Sequence, residues 1–192
     1  LLAKPDKSVI LTGGATANPV FRSIFTHSPR IKDFTGMKIC LILDRLRSAH
    51  NTGNIFRIAE ALGAEIIACG YTPAPPHPKL AKTAMGADRM VRCRTMPDAA
   101  GAVRLLRTEG YAMILAAEPG PESVFAWNMQ YEFPLGLVFG NEALGVSPEA
   151  LAEVDGLVGL PMLGEKASIN VGNAAAAILY AVAATAQYGV KL

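Results

Sequence analysis

Polar side chains of a few types follow three apolar segments of the sequence, and these types suit a ribose or a phosphate. The first group, residues 44–57, contains Asn51, Gly53 and Arg57 in the pattern N-x-G-x-x-x-R. We expect Asn51 to cap a helix, and free N–H groups at a helix N-terminus attract anions. A capped helix with a solvated arginine explains the same residues, so this segment alone decides nothing.

The second group follows the apolar run at residues 135–139. It places Gly140, Glu142 and Gly145 in the pattern G-x-E-x-x-G. The two glycines permit a tight backbone and a close approach by a ligand. Glu142 comes just after a buried strand, where a carboxylate needs partners. A turn with a solvent-exposed glutamate is the alternative.

The third group, residues 160–173, leads into a long alanine-rich helix. Ser168, Asn170 and Asn173 gather at the start of that helix. Capping by Ser168 or Asn170 is the simplest explanation. Three polar residues exceed what one cap needs, and this favours a binding role as well.

Short apolar runs alternate with helical patterns, which predicts an α/β fold with a mostly parallel sheet covered by helices on both faces. Strands are expected at residues 38–43, 65–69, 90–93, 112–116, 135–139 and 156–160. Helices are expected at residues 51–62, 79–85, 97–109, 148–153 and 171–187, with a further one at Pro19–Thr26. Ligands of such sheets bind beyond the carboxyl ends of the strands. The three polar groups lie in that position.

The composition fits a single globular domain of 192 residues with 51% hydrophobic residues. Residues 1–37 are expected to form a short extension, and residues 38–192 the domain. The apolar run Ala174–Ala186 is too short to span a membrane. Cys40, Cys69 and Cys93 lack metal-ligand spacing. We therefore expect reduced core thiols in a cytoplasmic protein, and neither a metal site nor a membrane segment.

Charge is distributed unevenly along the chain. Residues 1–96 hold 14 Lys/Arg and 6 Asp/Glu, whereas residues 97–192 hold 4 and 10. This asymmetry indicates one basic face, which could bind a polyanion. Chance placement of charges over a folded surface is an equal alternative.

Taken together, the three groups resemble the SpoU (TrmH-like) family of SPOUT RNA methyltransferases. The resemblance rests on N-x-G-x-x-x-R at Asn51–Arg57, G-x-E-x-x-G at Gly140–Gly145 and P-M-x-G-x-x-x-S-I-N-V at Pro161–Val171. The motifs occur in the family's order and cover roughly residues 38–187. Gly172-Asn173 departs from the pattern, which has a serine or a second small residue there.

The resemblance implies a SpoU-type methyltransferase domain with a C-terminal deep trefoil knot, and a homodimer. It implies methylation of a ribose 2′-hydroxyl in RNA with S-adenosylmethionine as the methyl donor. The cofactor would be held by Ala117, Glu118, Gly140, Leu160, Ser168 and Ile169. The catalytic set would be Asn51, Arg57, Glu142, Ser168 and Asn170.

The family proposal makes Arg57 the general base. A guanidinium stays protonated in nearly all protein settings, so a clamp on a neighbouring phosphate is the alternative. The short extension favours tRNA over rRNA as the substrate. Two other functions stay open: a methyltransferase or other cofactor-using enzyme acting on a small molecule, and a catalytically inactive RNA-binding protein.

Overall fold

A computed structural model describes residues 37–166 and 168–188 of the chain. In this part, seven parallel strands form one sheet in the order β3-β2-β1-β6-β4-β7-β5. The strands are β1 (Ile39–Asp44), β2 (Glu65–Cys69), β3 (Cys93–Met96), β4 (Met113–Ala117), β5 (Val124–Phe125), β6 (Leu135–Phe139) and β7 (Gly156–Gly159). The helices are α1 (Ala49–Leu62), α2 (Pro78–Ala84), α3 (Ala99–Thr108), α4 (Pro148–Leu151) and α5 (Val171–Tyr188), with a 3₁₀ turn at Ala87–Arg89.

The predicted fold class is confirmed, because helices cover both faces of a parallel sheet. Along β1, Leu41 and Leu43 face a core that contains residues of α1, α2 and α5. Cys40 and Ile42 face the opposite core, built with α3 and α4. This alternation follows from the two-residue period of a strand. The knot implied by the resemblance stays a prediction.

Two strands differ from the sequence prediction. β3 lies at Cys93–Met96 rather than at residues 90–93. It pairs only with β2 and contains the polar pair Arg94-Thr95, so an apolar run does not mark it. β5 was missed because it has two residues, both exposed. The helix predicted at Pro19–Thr26 lies outside the described residues.

The cysteines are part of the packed interior, as predicted. Cys40 and Cys69 are buried and Cys93 is half-buried, and all three are free thiols. Burial raises the pKa of Cys40 and Cys69 to about 12. These thiols therefore stay protonated at neutral pH and are poor nucleophiles.

The strand order brings several loops together at one edge of the sheet. In the register, Leu43 of β1 and Ala117 of β4 both lie beside Phe139 of β6, and Ala117 lies beside Val158 of β7. Parallel strands end on the same side. The loops that follow β1, β4, β6 and β7 therefore emerge next to one another, where the sheet changes its winding direction.

Gly53 of the first motif has a packing role. A Cβ at this position would overlap the Cβ and Oγ1 of Thr83 on α2. The Thr83 hydroxyl also donates to the carbonyl oxygen of Ala49 on α1, at 2.8 Å. The absence of a side chain at Gly53 thus lets α2 lie directly on α1.

Gly53→Ala should therefore destabilise the domain. Overpacking a close helix contact costs about 1–3 kcal/mol, whereas a change at an exposed site usually costs less than about 0.5 kcal/mol. Urea unfolding followed by circular dichroism measures the difference, with Ala61→Ser, at an exposed position of the same helix, as the control. Equal stability of the two variants would mean that the α1–α2 contact is not tight.

Candidate active site

An open cavity of about 570 Å³ lies at the carboxyl edge of the sheet, a volume within the usual range for small-molecule sites. Its lining comes from the ends of β4, β6 and β7 and from the start of α5. All six residues predicted to bind a cofactor line it: Ala117, Glu118, Gly140, Leu160, Ser168 and Ile169. Four of the five residues predicted to be catalytic also line it: Asn51, Glu142, Ser168 and Asn170.

Hydrogen bonds between side chains join the three motif segments at this cavity. The amide nitrogen of Asn170 donates to Oδ1 of Asn51 at 2.9 Å. The amide nitrogen of Asn51 donates in turn to Oε1 of Glu142 at 3.0 Å. Each motif contributes one member of the chain, so residues more than 90 positions apart in sequence fix one another's orientation.

Glu142 also holds the loop after β1 through main-chain contacts. Its carboxylate accepts hydrogen bonds from the backbone N–H groups of Arg47, at 3.0 Å, and Ser48, at 3.1 Å. Burial raises the pKa of Glu142, but these donors and the Asn51 amide lower it by more, so that the pKa lies below its usual 4.5. Glu142 is thus ionised at neutral pH and acts as a positioning group, because a carboxylate with a lowered pKa is a weak base.

The caps of the two helices correct one prediction. Ser48, and not Asn51, caps α1: its hydroxyl accepts from the backbone N–H of Asn51 at 3.2 Å. Asn170 caps α5, since its Oδ1 accepts from the N–H groups of Gly172, at 2.9 Å, and Asn173, at 3.3 Å. Because Ser48 is the cap, the Asn51 amide is left for the contacts with Glu142 and Asn170.

The unexpected Gly172 fits this arrangement. A Cβ there would lie 3.2 Å from Oδ1 of Asn170 and 3.4 Å from Cβ of Asn54 on α1. A small residue at this point keeps the first turn of α5 close to α1. The departure from the family pattern therefore leaves the cap and the amide network in place.

Asn141 is a site residue that the sequence analysis missed. It is buried, and its Oδ1 accepts from the N–H groups of Ala143, at 2.9 Å, and Leu144, at 3.1 Å. Its backbone pairs in both directions with Gly145. The loop after β6 is thereby closed into a tight turn. Its place between Gly140 and Glu142 was the signal for these local contacts, but its amide nitrogen also donates to the carbonyl oxygen of Arg45 at 2.6 Å, 96 positions away in sequence.

Two further carboxylates brace the end of the same loop. The buried Asp44 accepts from the backbone N–H of Ser147 at 2.7 Å. Glu118 accepts from the backbone N–H of Val146. The sequence analysis also missed Asp44, because an aspartate at the end of a strand can have many structural roles and its sequence position does not distinguish between them. Glu118 lines the cavity as predicted and supports its wall as well.

Arg57 lies away from this group. It is exposed on α1 and does not line the cavity. It is six residues beyond Asn51, which corresponds to about 9 Å along a helix. Of the predicted catalytic set, the structure therefore leaves only Arg57 outside the cavity of its own chain. The other members, which are two asparagines, one glutamate and one serine, lie together at the cavity.

The cavity suits a ligand the size of a nucleoside. Phe139, Val158 and Ile178 give it an apolar floor, while amide and carboxylate groups form its rim. Its wall at Gly140 admits no side chain, because a Cβ there would overlap the backbone of Gly145 and Val146. The glycine therefore lets the loop after β6 close against Gly145 and Val146. Within the described residues, we find neither a cluster of side chains suited to a metal ion nor a helix able to cross a membrane.

Comparison with known proteins gives one consistent family. Residues 38–180 match the model of the SpoU rRNA Methylase family. The chain is 34% identical over 142 residues, 74% of its length, to the tRNA (guanosine(18)-2'-O)-methyltransferase of Thermus thermophilus. It is 31% identical over 156 residues, 79% of its length, to the 23S rRNA (uridine(2479)-2'-O)-methyltransferase of Streptomyces viridochromogenes.

A solved structure also resembles the domain. The SpoU methyltransferase AviRb from Streptomyces viridochromogenes, in complex with the cofactor AdoMet, superposes with a TM-score of 0.73, at 26% identity over 82% of this chain. The matched regions span 72% of the Thermus enzyme, 53% of the Streptomyces rRNA enzyme and 61% of AviRb.

Glu142→Gln should destabilise the domain in a pH-dependent way. A group whose pKa is lowered by folding stabilises the folded state above its unfolded pKa, and this contribution is lost as pH falls through the folded value. The glutamine variant should therefore be less stable than the parent protein at pH 7, and the gap should shrink as pH falls below 4.5. Urea unfolding across this range tests the prediction.

Glu149→Gln serves as the control for the loss of one negative charge, since Glu149 is exposed on α4. It should leave the stability at pH 7 unchanged. A pH-independent gap for Glu142→Gln would contradict the role assigned to its carboxylate.

Proposed function

Because the chain belongs to the SpoU methylase family, we propose that it transfers a methyl group from S-adenosylmethionine to a ribose 2′-hydroxyl of RNA. The family match covers residues 38–180, and the named relatives are tRNA and rRNA 2'-O-methyltransferases. The observation that carries the proposal is the hydrogen-bonded chain from Asn170 through Asn51 to Glu142. It unites the three motif segments at a cavity of suitable size.

The residues around the cavity fit the cofactor. The apolar floor suits an adenine ring, and the backbone at Gly140, Leu160 and Ile169 can supply N–H and carbonyl groups to its polar parts. Ala117 and Glu118 form the opposite side, and Ser168 stands at the mouth. When bound, the cofactor supplies a methyl group on a positively charged sulfur.

The chain's own residues mainly position the acceptor. Glu142 is ionised and fixes the Asn51 amide, which in turn fixes Asn170. We assign Ser168 and Asn170, both exposed at the mouth of the cavity, to orienting the ribose. Alignment of the hydroxyl oxygen with the methyl carbon accounts for much of the rate in such a transfer.

Arg57 is assigned to the RNA rather than to the cofactor. A guanidinium is a planar cation with several N–H donors, so Arg57 is suited to bind a phosphate bidentately and to stabilise the negative charge that develops on the 2′-oxygen. It is exposed and lies outside its own cavity. This supports a homodimer in which Arg57 of one copy reaches the cavity of the other.

Helix α5 supports the same dimer. Ala175, Ile178 and Leu179 are buried in the core that α5 shares with α1, whereas Ala177 and Tyr180 are exposed. The two exposed residues are neighbours on one face of the helix, and alanine permits a close two-fold contact.

A basic surface beside α1 supports RNA as the acceptor. Lys79, Lys82 and Arg89 are exposed on α2 and the 3₁₀ turn. Two other cations of residues 1–96 are paired within the chain, Arg92 with Glu65 and Arg94 with Glu109. Fewer cations are therefore available to RNA than the number of Lys and Arg residues in this half of the sequence implies. A cytoplasmic location follows from the proposed substrate, and the preference for tRNA over rRNA stays a prediction.

Methyl transfer to RNA separates the proposal from its alternatives. Label from S-adenosylmethionine should enter total tRNA or rRNA fractions when the protein is added. A small-molecule enzyme would label neither fraction. An inactive binding protein would retain RNA on a filter and transfer no label.

Arg57→Ala should abolish methyl transfer while the affinity for S-adenosylmethionine stays within about twofold, because Arg57 does not line the cavity. Isothermal calorimetry measures the affinity, and label incorporation measures the transfer. Arg57→Lys keeps a charge but loses the planar fork, so a phosphate clamp predicts partial activity. A large loss of cofactor affinity in the alanine variant would contradict the assignment.

Ala177→Arg should give a folded monomer that transfers no methyl group. Ala177 is exposed in the single chain, so the substitution leaves the domain intact but puts a charge in the proposed two-fold contact. Light scattering gives the mass, and Thr108→Arg, exposed on α3, is the control. A dimer of unchanged mass and activity would place the interface elsewhere.

A further inference from the structure

A large aromatic side chain stands exposed beside the active-site loops. Tyr71 follows β2 at the edge of the sheet that bears the cavity, and 58% of its surface is accessible. It does not line the cavity. Its hydroxyl accepts a hydrogen bond from the amide nitrogen of Asn141 at 3.0 Å. One hydrogen bond therefore connects Tyr71 to a residue of the cavity wall.

The loop that carries Tyr71 is fixed to its neighbours. The buried hydroxyl of Thr72 donates to the carbonyl oxygen of Leu43, at 3.0 Å, and accepts from the N–H of Leu46, at 2.9 Å. The turn therefore cannot move without breaking contacts with the loop after β1. An exposed aromatic ring on a rigid turn loses little entropy when it binds a partner.

Arg45 belongs to the same hydrogen-bonded group as Tyr71. A Cβ at Gly70 would be 3.0 Å from Cγ of Arg45, so the glycine leaves the space that the arginine stem occupies. Arg45 has a left-handed backbone, with φ at 55°, and its carbonyl oxygen accepts from the Asn141 amide at 2.6 Å. A single amide group thus holds both Tyr71 and Arg45.

The guanidinium of Arg45 is partly neutralised. Its Nε donates to Oδ1 of the buried Asp44 at 3.0 Å, and about a third of the side chain is exposed. Arg45 therefore offers a planar face and spare N–H donors more than a net positive charge. Guanidinium planes and aromatic rings both stack on nucleobases.

We propose that Tyr71 and Arg45 form a stacking surface for an unpaired nucleobase in the RNA segment that carries the acceptor ribose. The inference rests on the proposed function, and it adds a substrate-positioning site outside the cavity. Proteins read single-stranded RNA largely by stacking its bases on aromatic rings and guanidinium planes. Arg47, exposed on the adjoining loop, provides a cation for the phosphates of the same strand.

Substitutions of Tyr71 separate stacking from the hydrogen bond to Asn141. Base stacking on an aromatic side chain is worth about 1–3 kcal/mol, so Tyr71→Ala should weaken RNA binding and raise KM for RNA by roughly tenfold or more. Tyr71→Phe keeps the ring and loses the hydroxyl, and it should stay within about twofold of the parent protein. Tyr71→Trp should also retain binding.

Filter binding of labelled total tRNA and rRNA gives the affinity, and label transfer to the same RNA gives KM and kcat. Phe125→Ala is the control, because Phe125 is exposed on β5, which is separated from β2 by four strands of the sheet. The affinity of each variant for S-adenosylmethionine should be unchanged. Because binding is measured apart from transfer, the stacking surface is tested even if the parent protein transfers no label.

Three results would overturn the proposal. Tyr71→Ala could bind RNA as tightly as the parent protein does. Tyr71→Phe could lose as much RNA affinity as Tyr71→Ala, which would show that the hydroxyl only braces the loop. The mass of the Tyr71→Ala protein in solution, measured by light scattering, could differ from that of the parent, which would show that Tyr71 belongs to a protein interface. Failure of the parent protein to methylate any RNA fraction would instead contradict the proposed function.

Discussion

The rest of the site depends on the hydrogen bonds that stabilise the carboxylate of Glu142. Glu142 lies at an exposed position of the loop after β6, and the desolvation of its carboxyl group alone would favour the neutral form. Two backbone N–H groups of the first loop and the amide of Asn51 stabilise the charge instead. The same bonds fix the loop after β1 and orient Asn51 toward Asn170. The hydrogen bonds that keep Glu142 charged are therefore the same ones that hold the two loops in position.

Two of the motif glycines are required because a side chain at either position would overlap neighbouring atoms. At Gly140 a Cβ would overlap the backbone of Gly145 and Val146, so the loop after β6 can close only with glycine. At Gly53 the obstacle is Thr83, 30 positions further along the chain. One motif glycine thus shapes the cavity wall, and the other permits a helix contact that supports the first loop from behind.

The fold class and the edge of the sheet that carries the site were predictable, because apolar runs mark buried parallel strands and ligands bind at their carboxyl ends. The residues expected to hold the cofactor came from the resemblance to the SpoU family, and all of them line the cavity. Asn141, Asp44 and Tyr71 were not singled out. Their roles come from partners at a distance of 70 to 103 residues in sequence, such as Asp44 with Ser147. The prediction that Asn51 caps the first helix was wrong, because Ser48, three residues earlier, also satisfies the preference for a cap; its place in the catalytic set stays a prediction. The edge strand β5 has only two residues, both exposed, which is too short a segment to predict a strand.

Methylation of an RNA ribose is the function that we propose for this site. To test it, RNA is incubated with the protein and methyl-labelled S-adenosylmethionine, digested to nucleosides and examined by mass spectrometry. We expect label in a 2′-O-methylated nucleoside, and loss of that label in Arg57→Ala. Label on a base, or the same ribose label in the variant, would contradict it.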